Sequence, residues 1–452
     1  MCGFIAGKDL PQDLSQLIEH MSYRGLPGYK GYLRFGHKGE IQFAHYSLPF
    51  VNLDPAVCIQ PINSNPPALF VGEIFNYKEL GYNTDIECAI EEFWNHPVPF
   101  DPFHQPLGIF DAFHKFDGFW SFVTMYNSNI IAATDYLSQK PVYYRTDMEA
   151  LASEIDILIH LAPTTRDEVF MSNTMKWGYS PDARTPWNEI KQIPPGHYYY
   201  KGAVYEYWDW NKVSCTDLRT DLLKATELRL GGQREVAVLL SGGLDSTIIY
   251  GLIKQLGREV TAVHVDNAEK GFANLALHLG DTMHHVKLND VTDYEALIVH
   301  QSPVDLGSVK PQIAMAKKLR ELGFYAVMTG DGADELFGGY RRAKEYDSQM
   351  SDMFCELPYY HMPKIDRTMM RYTIETRCPF LAPSICKHAM NTPYAERNGE
   401  KKVLKQTFAD IVPPEILNRD KHPLKTGIIR NDPMSQRRMN DEIWRLMECI
   451  IV

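Results

Sequence analysis

Several features that would narrow the class of this protein are missing from its sequence. No apolar run approaches the roughly 20 residues that a membrane-spanning helix needs, and the start, Met1-Cys2-Gly3-Phe4, lacks the basic stretch and apolar core of a secretory signal. The eight cysteines form no CxxC pair, so neither a zinc pattern nor a dense disulfide framework is indicated. The net charge of −11 argues against a sequence-independent grip on nucleic acid. We therefore expect a soluble, cytoplasmic protein with small-molecule substrates and no nucleic acid or membrane partner.

The length of the chain and a change in its pattern predict two domains. A chain of 452 residues exceeds the size at which one hydrophobic core keeps growing. Before about residue 210, aromatic and β-branched runs such as Ala68 to Phe75 and Phe119 to Tyr126 alternate with turn signals, which is typical of antiparallel sheet. After it, short apolar runs alternate with helical patterns, which indicates a parallel sheet with helices on both faces. We place the domains at residues 1–208 and 209–452.

The second domain is predicted to alternate strand and helix from its start. Strands are predicted at residues 235–240 and 260–265, and a helix between them runs from Ser246 to Gly257. A later helix is predicted over residues 311–323, with Pro311 in its first turn and Gly323 at its end. In such a sheet, ligands bind beyond the carboxyl ends of the strands.

The segment Ser241-Gly242-Gly243-Leu244-Asp245-Ser246 joins the first of these strands to the helix. Its glycines let the backbone turn tightly and bring N–H groups close to an anion, and the helix that follows presents the positive end of its dipole. It is not a Walker A loop, because GxxxxGK[ST] occurs nowhere in the chain. A glycine-rich turn with serine caps is the plain alternative, but the flanking strand and helix favour a phosphate-binding loop.

This segment resembles the pyrophosphate loop of ATP pyrophosphatases, which split ATP between the α and β phosphates and leave AMP on the substrate. Three further segments narrow the resemblance to the asparagine synthetases and their β-lactam-forming relatives: Thr329 to Tyr340, Glu375 to Leu381 and Arg419-Asp420-Lys421. The resemblance spans nearly the whole chain. It implies an α/β protein, in which an N-terminal αββα sandwich of the N-terminal nucleophile hydrolase type precedes a doubly wound parallel sheet.

The same resemblance implies roles for residues of the second domain. Asp245 and Asp334 match residues that hold Mg²⁺ between the phosphates of ATP, and oxygen ligands suit this hard cation. Lys421 matches a catalytic lysine that offsets negative charge in the transition state. Asp331 stands where the family usually has a catalytic glutamate, so its reach is one methylene shorter. The residues expected to bind ATP are Ser241, Gly242, Gly243, Asp245, Ser246 and Gly330, while Leu239 and Val265 either flank adenine or only pack in the core.

The first domain carries a candidate nucleophile at its start. Cys2 becomes an N-terminal thiol if Met1 is removed, and its own α-amino group can then act as general base. The reference pKa values, about 8 for the amine and about 8.5 for the thiol, allow proton exchange near neutrality. Downstream segments resemble the glutaminase domain of the family. They imply Cys2 as the catalytic residue, Glu73 and Asp85 as ligands of the α-amino group of glutamine, and Gly72 as an N–H donor to the oxyanion.

Three departures from the family pattern weaken the expected use of glutamine. Of a His-Arg-Gly-Pro-Asp segment, only Arg24-Gly25 remains. Ser47 replaces the arginine that would bind the α-carboxylate of glutamine, and Val71 replaces an asparagine of the oxyanion hole. The loss of one oxyanion donor typically lowers the rate about 100-fold to 1000-fold. Arg24 or another cation could fill the place that Ser47 leaves.

Three functions are weighed on this basis. The first is amidation of a carboxylate, with aspartate as the family default, by glutamine and ATP through an acyl-adenylate that releases AMP and pyrophosphate. The second keeps adenylation but uses free ammonia or an internal amine. The third, which the retention of Asp245, Asp334 and Lys421 disfavours, is a nucleotide-binding homologue without catalysis. The expected cofactors are ATP and Mg²⁺, while the acceptor acid and the oligomeric state, including a homodimer, are left open.

Overall fold

The structure is a computed structural model that describes residues 2–11, 13–35, 41–60, 66–95, 110–177, 179–232, 234–266, 270–278, 280–287, 291–292, 306–339, 354–393, 396 and 401–418. Antiparallel sheets build the part before residue 207, and a parallel sheet builds the part after residue 235. The predicted α/β class, with antiparallel sheets first and a parallel sheet second, is confirmed. Within these ranges, no helix is long and apolar enough to cross a membrane.

Two antiparallel sheets make up the first part of the chain. Their orders are β2-β3-β1-β8-β7-β9 and β11-β10-β6-β5-β4, and the strands in chain order are β1 (Gly3–Lys8), β2 (Lys30–Phe35), β3 (Ile41–Tyr46), β4 (Leu69–Ile74), β5 (Gly118–Tyr126), β6 (Asn129–Thr134), β7 (Tyr143–Arg145), β8 (Ala150–Ala152), β9 (Ile190–Gln192), β10 (His197–Tyr200) and β11 (Ala203–Glu206). Turns at Asn127-Ser128 and Lys201-Gly202 connect β5 to β6 and β10 to β11.

Five short α-helices are described in the same part, namely α1 (Ser15–Glu19), α2 (Pro55–Cys58), α3 (Asp85–Asn95), α4 (Ile155–Ile159) and α5 (Glu168–Trp177). Of these, α1 and α4 pack on the first sheet and α3 packs on the second. Phe4 and Ala6 of β1 lie in a core that contains residues of both sheets, whereas Ile5 packs with residues of α1 and α4. This alternation follows from the pleat, which sends successive side chains to opposite faces. Because α3 packs against β4 of the other sheet, the layers have the predicted αββα order.

The parallel sheet of the second part has the order β14-β13-β12-β15-β16. Its strands are β12 (Val236–Leu239), β13 (Ala262–Val265), β14 (Met283–Val286), β15 (Ala326–Met328) and β16 (Glu375–Arg377). The α-helices of this part are α6 (Leu218–Arg229), α7 (Leu244–Gln255), α8 (Lys270–Ala276), α9 (Leu306–Glu321), α10 (Ala333–Phe337), α11 (Met362–Met370), α12 (Pro383–Asn391), α13 (Lys402–Thr407) and α14 (Pro414–Leu417). The chain runs from β12 outward to β14 and then returns to β15 on the other side of β12. The strand order therefore reverses at β12, and ligands bind at such a point in open α/β sheets.

One helix boundary in the second part was predicted wrongly. Helix α9 begins at Leu306, so Pro311 lies inside it rather than in its first turn. Proline favours the first turn of a helix. An internal proline removes one backbone hydrogen bond, and favourable packing of the helix can offset this loss. Val309 and Ile313, on either side of Pro311, are both fully buried in the sheet core. The predicted end is right, since Gly323 follows the helix with φ +86°.

Buried ion pairs join the two parts of the chain. Arg24 contacts Glu154 and Asp366, and Lys140 contacts Asp366 and Glu375, with none of these side chains more than 5 % exposed. Burial alone would raise the pKa of Asp366, but the charges of Arg24 and Lys140 outweigh it and lower this pKa to about 2. Asp366 therefore remains ionised over the whole physiological range.

Candidate active sites

The register of the first sheet places Cys2 opposite Ser47. Gly3 pairs with Tyr46 across β1 and β3, so the residues just outside these strand ends face each other. The Sγ of Cys2 donates to the Oγ of Ser47 at 3.9 Å, and Ser47 Oγ donates to the carbonyl of Cys58 at 2.6 Å. Burial raises the pKa of the Cys2 thiol. A thiol in this setting needs a nearby base to become a nucleophile.

A cavity that is open to solvent lies beside Cys2. Its lining brings together Cys2, Gly72, Glu73 and Asp85, which the sequence predicted as one glutamine site. Among the described residues that line it, there is no lysine or arginine. Arg24 instead contacts the buried carboxylates of Glu154 and Asp366. It therefore supplies no positive charge at the position of Ser47.

The backbone on the floor of this cavity requires glycine at position 72. Gly72 has φ +137°, and a Cβ atom there would lie 2.1 Å from the carbonyl oxygen of Phe119 on the neighbouring strand. Val71 is 1 % exposed and packs in the core between the sheets rather than lining the cavity. Position 71 therefore offers no side-chain donor to an oxyanion, and the role of the Gly72 N–H as such a donor stays a prediction.

Asp85 begins helix α3 on another wall of the cavity. Its carboxylate accepts from the N–H of Ile86 at 3.0 Å, and Thr84 caps the helix by accepting from the N–H of Glu87 at 3.1 Å. Burial, and then the negative charge of Glu73, raise the pKa of Asp85 to about 7. Asp85 thus changes its charge near neutral pH, where a cationic ligand would favour the ionised form.

The raised pKa of Asp85 predicts a pH-dependent loss of stability. A carboxyl whose folded pKa lies above its unfolded value stabilises the fold fully below about pH 4, and that contribution is lost as the pH rises through about 7. Since one pKa unit corresponds to about 1.4 kcal/mol, the loss amounts to a few kcal/mol. Urea unfolding at pH 5 and pH 8 should show this loss in the wild type and a smaller one in Asp85→Asn. Glu91→Gln, an exposed position of the same helix, is the control, and an identical pH dependence in Asp85→Asn would contradict the assignment.

The predicted phosphate loop follows β12, and its two ends are connected by the side chains of its serines. The Oγ atoms of Ser241 and Ser246 lie 2.9 Å apart, and the N–H of Gly243 donates to Ser241 Oγ at 3.2 Å. Gly242 has φ +78°, and a Cβ atom there would lie 2.5 Å from the backbone nitrogen of Ala273. The loop leads directly into α7, so the positive end of that helix dipole lies at the same place.

Asp245 and Asp334, the two predicted magnesium ligands, converge on one lysine. The Nζ of Lys401 contacts both carboxylates, and its side chain is 6 % exposed. Burial alone would lower the pKa of Lys401, but the two carboxylates outweigh it and raise it. Gly330 packs against this cluster, because a Cβ atom there would lie 2.8 Å from the Cβ of Asp245. Three segments that are far apart in the chain thus meet in one corner.

The residues of this corner fit a magnesium ion that is completed by phosphates. Mg²⁺ usually takes one or two carboxylates together with phosphate oxygens and water. Within the described ranges, no group of three or more His, Cys, Asp or Glu residues could hold a metal ion. The carboxylates of Asp245 and Asp334, which both contact Lys401, therefore suit a Mg²⁺ ion that also binds the phosphates of a nucleotide. They do not suit an ion that is held by protein ligands alone.

Lys401 was not found from the sequence. It lies just before α13 with φ +59°, and neither its neighbours nor its spacing distinguish it from a surface lysine. Asp331 lies near the same sheet edge, where its N–H is 3.4 Å from Thr329 Oγ1, and burial raises the pKa of its carboxyl. Val265 is 2 % exposed and packs in the sheet core, with Leu239 partly buried against it, and their role beside adenine stays a prediction. Lys421 lies outside the described residues.

Comparisons with known proteins agree on the class of this protein. Residues 1–208 match a glutamine amidotransferase domain, and residues 217–355 and 346–444 match asparagine synthase. An amidotransferase domain followed by a synthase domain defines a glutamine-hydrolysing ligase. The chain belongs to the asparagine synthase family, and it is an enzyme of that family's glutamine-hydrolysing type.

The relatives of this chain are distant but match it over most of its length. The glutamine-hydrolysing asparagine synthetase of Sandersonia aurantiaca is 25 % identical over 497 residues, which cover 95 % of this chain and 87 % of that protein. A probable asparagine synthetase of Acanthamoeba polyphaga mimivirus is 25 % identical over 416 residues, covering 82 % and 74 %. The solved glutamine phosphoribosylpyrophosphate amidotransferase from B. subtilis is 12 % identical and covers 73 % of this chain and 81 % of its own. Its TM-score of 0.33 is too low to bear on function.

Proposed function

We propose that this protein amidates a carboxylate, aspartate by preference, with ammonia from glutamine and with ATP that is split to AMP and pyrophosphate. The observation that carries the proposal is the convergence of Asp245 and Asp334 on Lys401 beside the glycine loop. This corner lies where the strand order of the parallel sheet reverses, and N–H donors, a helix dipole and a cation-binding pair of carboxylates meet there. That combination suits a nucleoside triphosphate.

The Cys2 cavity is the proposed source of ammonia. Once Met1 is removed, the α-amino group of Cys2 takes the thiol proton, and the thiolate attacks the side-chain amide carbon of glutamine. The N–H of Gly72 stabilises the oxyanion, and Glu73 and Asp85 receive the α-ammonium group. The amide nitrogen leaves as ammonia, and water then hydrolyses the γ-glutamyl thioester to glutamate.

The loop from Ser241 to Ser246 is the proposed phosphate site. Its N–H groups and the start of α7 hold the phosphates while the carboxylate of the acceptor attacks the α-phosphorus and pyrophosphate leaves. Ammonia then attacks the acyl carbon, and AMP leaves. Asp245 and Asp334 would hold Mg²⁺, which would supply positive charge to the phosphates when bound. Lys401 can turn from the carboxylates to phosphate oxygens, and Asp331 and Lys421 keep the catalytic roles that the resemblance implies.

Product analysis tests this proposal directly. Incubation of the enzyme with ATP, Mg²⁺, an ammonium salt and a panel of carboxylic acids should release AMP and pyrophosphate in amounts equal to the amide formed, with aspartate as the best acceptor. The reaction without acid is the control. ADP and phosphate as the sole nucleotide products would remove the acyl-adenylate, and a clear preference for another acid would replace aspartate.

A second candidate function follows from the first cavity. An amide-forming ligase that uses free ammonia or an internal amine is favoured by Ser47, whose hydroxyl is committed to the carbonyl of Cys58, and by the lack of lysine or arginine among the described lining residues. The Michaelis constants for glutamine and ammonia separate the two candidates. Saturation by glutamine at low millimolar concentration favours the first, and saturation only by ammonia favours the second.

A further inference from the structure

Arg377, at the end of β16, reaches from the second part of the chain to the glutamine cavity. Its Nε donates to Oε1 of Glu73 at 2.9 Å, and its Nη2 donates to Oε2 at 2.6 Å. Its Nη1 donates to the carbonyls of Arg229 at 2.6 Å and Gly231 at 2.9 Å. The guanidinium lies 5.0 Å from the ring centroid of Phe50. The group is therefore held on several sides, and a forked, charge-assisted contact fixes both oxygens of Glu73.

This contact determines what Glu73 can offer to a ligand. A carboxylate has about four lone-pair positions, and Arg377 uses two of them, so Glu73 can still accept from the α-ammonium group of glutamine. Because Arg377 balances the charge of Glu73, the neighbouring Asp85 experiences less repulsion. If Arg377 were neutral, the negative charge of Glu73 would make the ionisation of Asp85 still less favourable. The ammonium group of glutamine would then meet a protonated Asp85 at neutral pH.

Two charged side chains of the described residues act on Asp85. Glu73 raises its pKa and Arg377 lowers it. Among the described residues, the other side chains that interact with its charge are thiols and a phenol with raised pKa values, namely Cys2, Cys58, Tyr77 and Cys88. The α-amino group of Cys2, once Met1 is removed, is a further titratable group in this cavity. The charge state of Asp85 near neutral pH is therefore governed chiefly by burial and by the pair of Glu73 and Arg377.

The backbone of Arg377 belongs to the second site. Arg377 pairs with Met328 of β15, and the N–H of Thr329 donates to the Arg377 carbonyl at 3.1 Å. Thr329 leads directly into Gly330 and Asp331. The residue that holds Glu73 through its side chain thus also fixes, through its main chain, the start of the loop at the nucleotide site.

We propose that Arg377 is a positioning residue shared by both sites, which orients Glu73 for the α-ammonium group of glutamine and ties that carboxylate to the strand edge that carries Asp331. The glutamine site of the first part is thus completed by the second part. The inference rests on the proposed function, because it requires that the Cys2 cavity hydrolyses glutamine. An ion pair that only stabilises the contact between the two parts is the alternative.

The test compares Arg377→Gln, Arg377→Lys, Glu73→Gln and the double variant Arg377→Gln/Glu73→Gln in the full-length protein. Glutamate release from glutamine is followed from pH 5.5 to 9. Arg377→Gln should raise the KM for glutamine roughly tenfold or more, as expected for a lost contact to a charged group, and should move the acid limb of kcat/KM to higher pH. Arg377→Lys keeps the charge but not the fork, so the KM should rise while the limb stays in place. If the two residues act as a pair, kcat/KM of the double variant should be no lower than that of the less active single variant.

Arg229→Gln is the matched control. Arg229 is also a buried arginine that joins the two parts, but its ion pair is with Asp117, at 2.8 Å, rather than with Glu73. This variant should lower stability without moving the acid limb. An unmoved limb in Arg377→Gln, or additive effects with Glu73→Gln, would reduce Arg377 to a structural ion pair. If Arg377→Gln fails to fold, the limb and KM of Arg377→Lys decide the matter.

The same preparations separate this inference from the proposed function. AMP formation with an ammonium salt reports on the nucleotide site alone. Glutamate release without AMP formation would remove the proposed amidation while still deciding the role of Arg377. AMP formation without any glutamate release from glutamine by the wild type would overturn the role of Arg377 at the glutamine site and leave the adenylating half standing.

Discussion

Replacing Cys2 by alanine should abolish amide synthesis from glutamine and leave synthesis from an ammonium salt intact. The thiol acts only in releasing ammonia, and an adenylated acid accepts ammonia from any source, so the two half-reactions are separable. We expect the glutamine-dependent rate to fall by at least about 1000-fold, as for the loss of other catalytic nucleophiles. The wild-type use of glutamine should itself be weak, because Ser47 cannot give a carboxylate the forked contact of an arginine.

Rates with both nitrogen donors on wild type and Cys2→Ala check this expectation. Cys58→Ala is a suitable control, because Cys58 also lines the cavity and is buried, but its thiol contacts the carbonyl of Asn52. Equal loss with glutamine and ammonia in Cys2→Ala would refute the division of labour. Tight and fast use of glutamine by the wild type would mean that the α-carboxylate is bound by a group other than residue 47.

Replacing Asp334 by alanine should leave the enzyme nearly inactive at ordinary magnesium concentrations. Even residues that only support a metal ligand typically cost 10-fold to 100-fold when they are removed, so the loss of a ligand itself should exceed about 100-fold. Of the two carboxylates that Lys401 contacts, the change would leave only that of Asp245. The lysine would then bind Asp245 without competition and withhold it from the metal.

Asp334→Asn distinguishes charge from shape at this place. It keeps the side-chain volume, and its remaining oxygen is a weaker ligand, so activity should recover in part when magnesium is raised. Asp410→Asn, which removes an exposed carboxylate that pairs with Arg219, should behave as the wild type. Unchanged activity and unchanged magnesium dependence in Asp334→Ala would make this carboxylate structural.

The parts of the two sites that local pattern encodes could be predicted from the sequence. The glycines and serines from 241 to 246 determine a loop through steric freedom and short hydrogen bonds, which depend on neighbours in the chain. The aromatic and β-branched runs from Ala68 to Phe75 and from Phe119 to Tyr126 likewise predicted antiparallel sheet, and strands β4 and β5 lie there. The boundary at residues 208 and 209 stays a prediction of the same kind.

The residues that the sequence did not reveal act over long distances along the chain. Lys401 becomes distinctive only when folding brings Asp245 and Asp334 to its ammonium group. Arg377 lies in a segment that resembles the family, but its contact with Glu73 depends on how the two parts of the chain pack together. Pro311 misled for a related reason, since the packing of α9 on the sheet outweighed a local preference.

The buried charges at the boundary limit how this protein can be recombined with others. A chimera that joins residues 1–208 to a foreign synthetase would keep Arg24, Lys140 and Glu73 but lose Asp366, Glu375 and Arg377. Breaking a buried ion pair by removing one partner typically costs about 3 to 5 kcal/mol, and several such losses together approach the whole stability of a domain. Transplantation of the glutaminase half should therefore succeed only when complementary charges on the receiving surface are transferred with it.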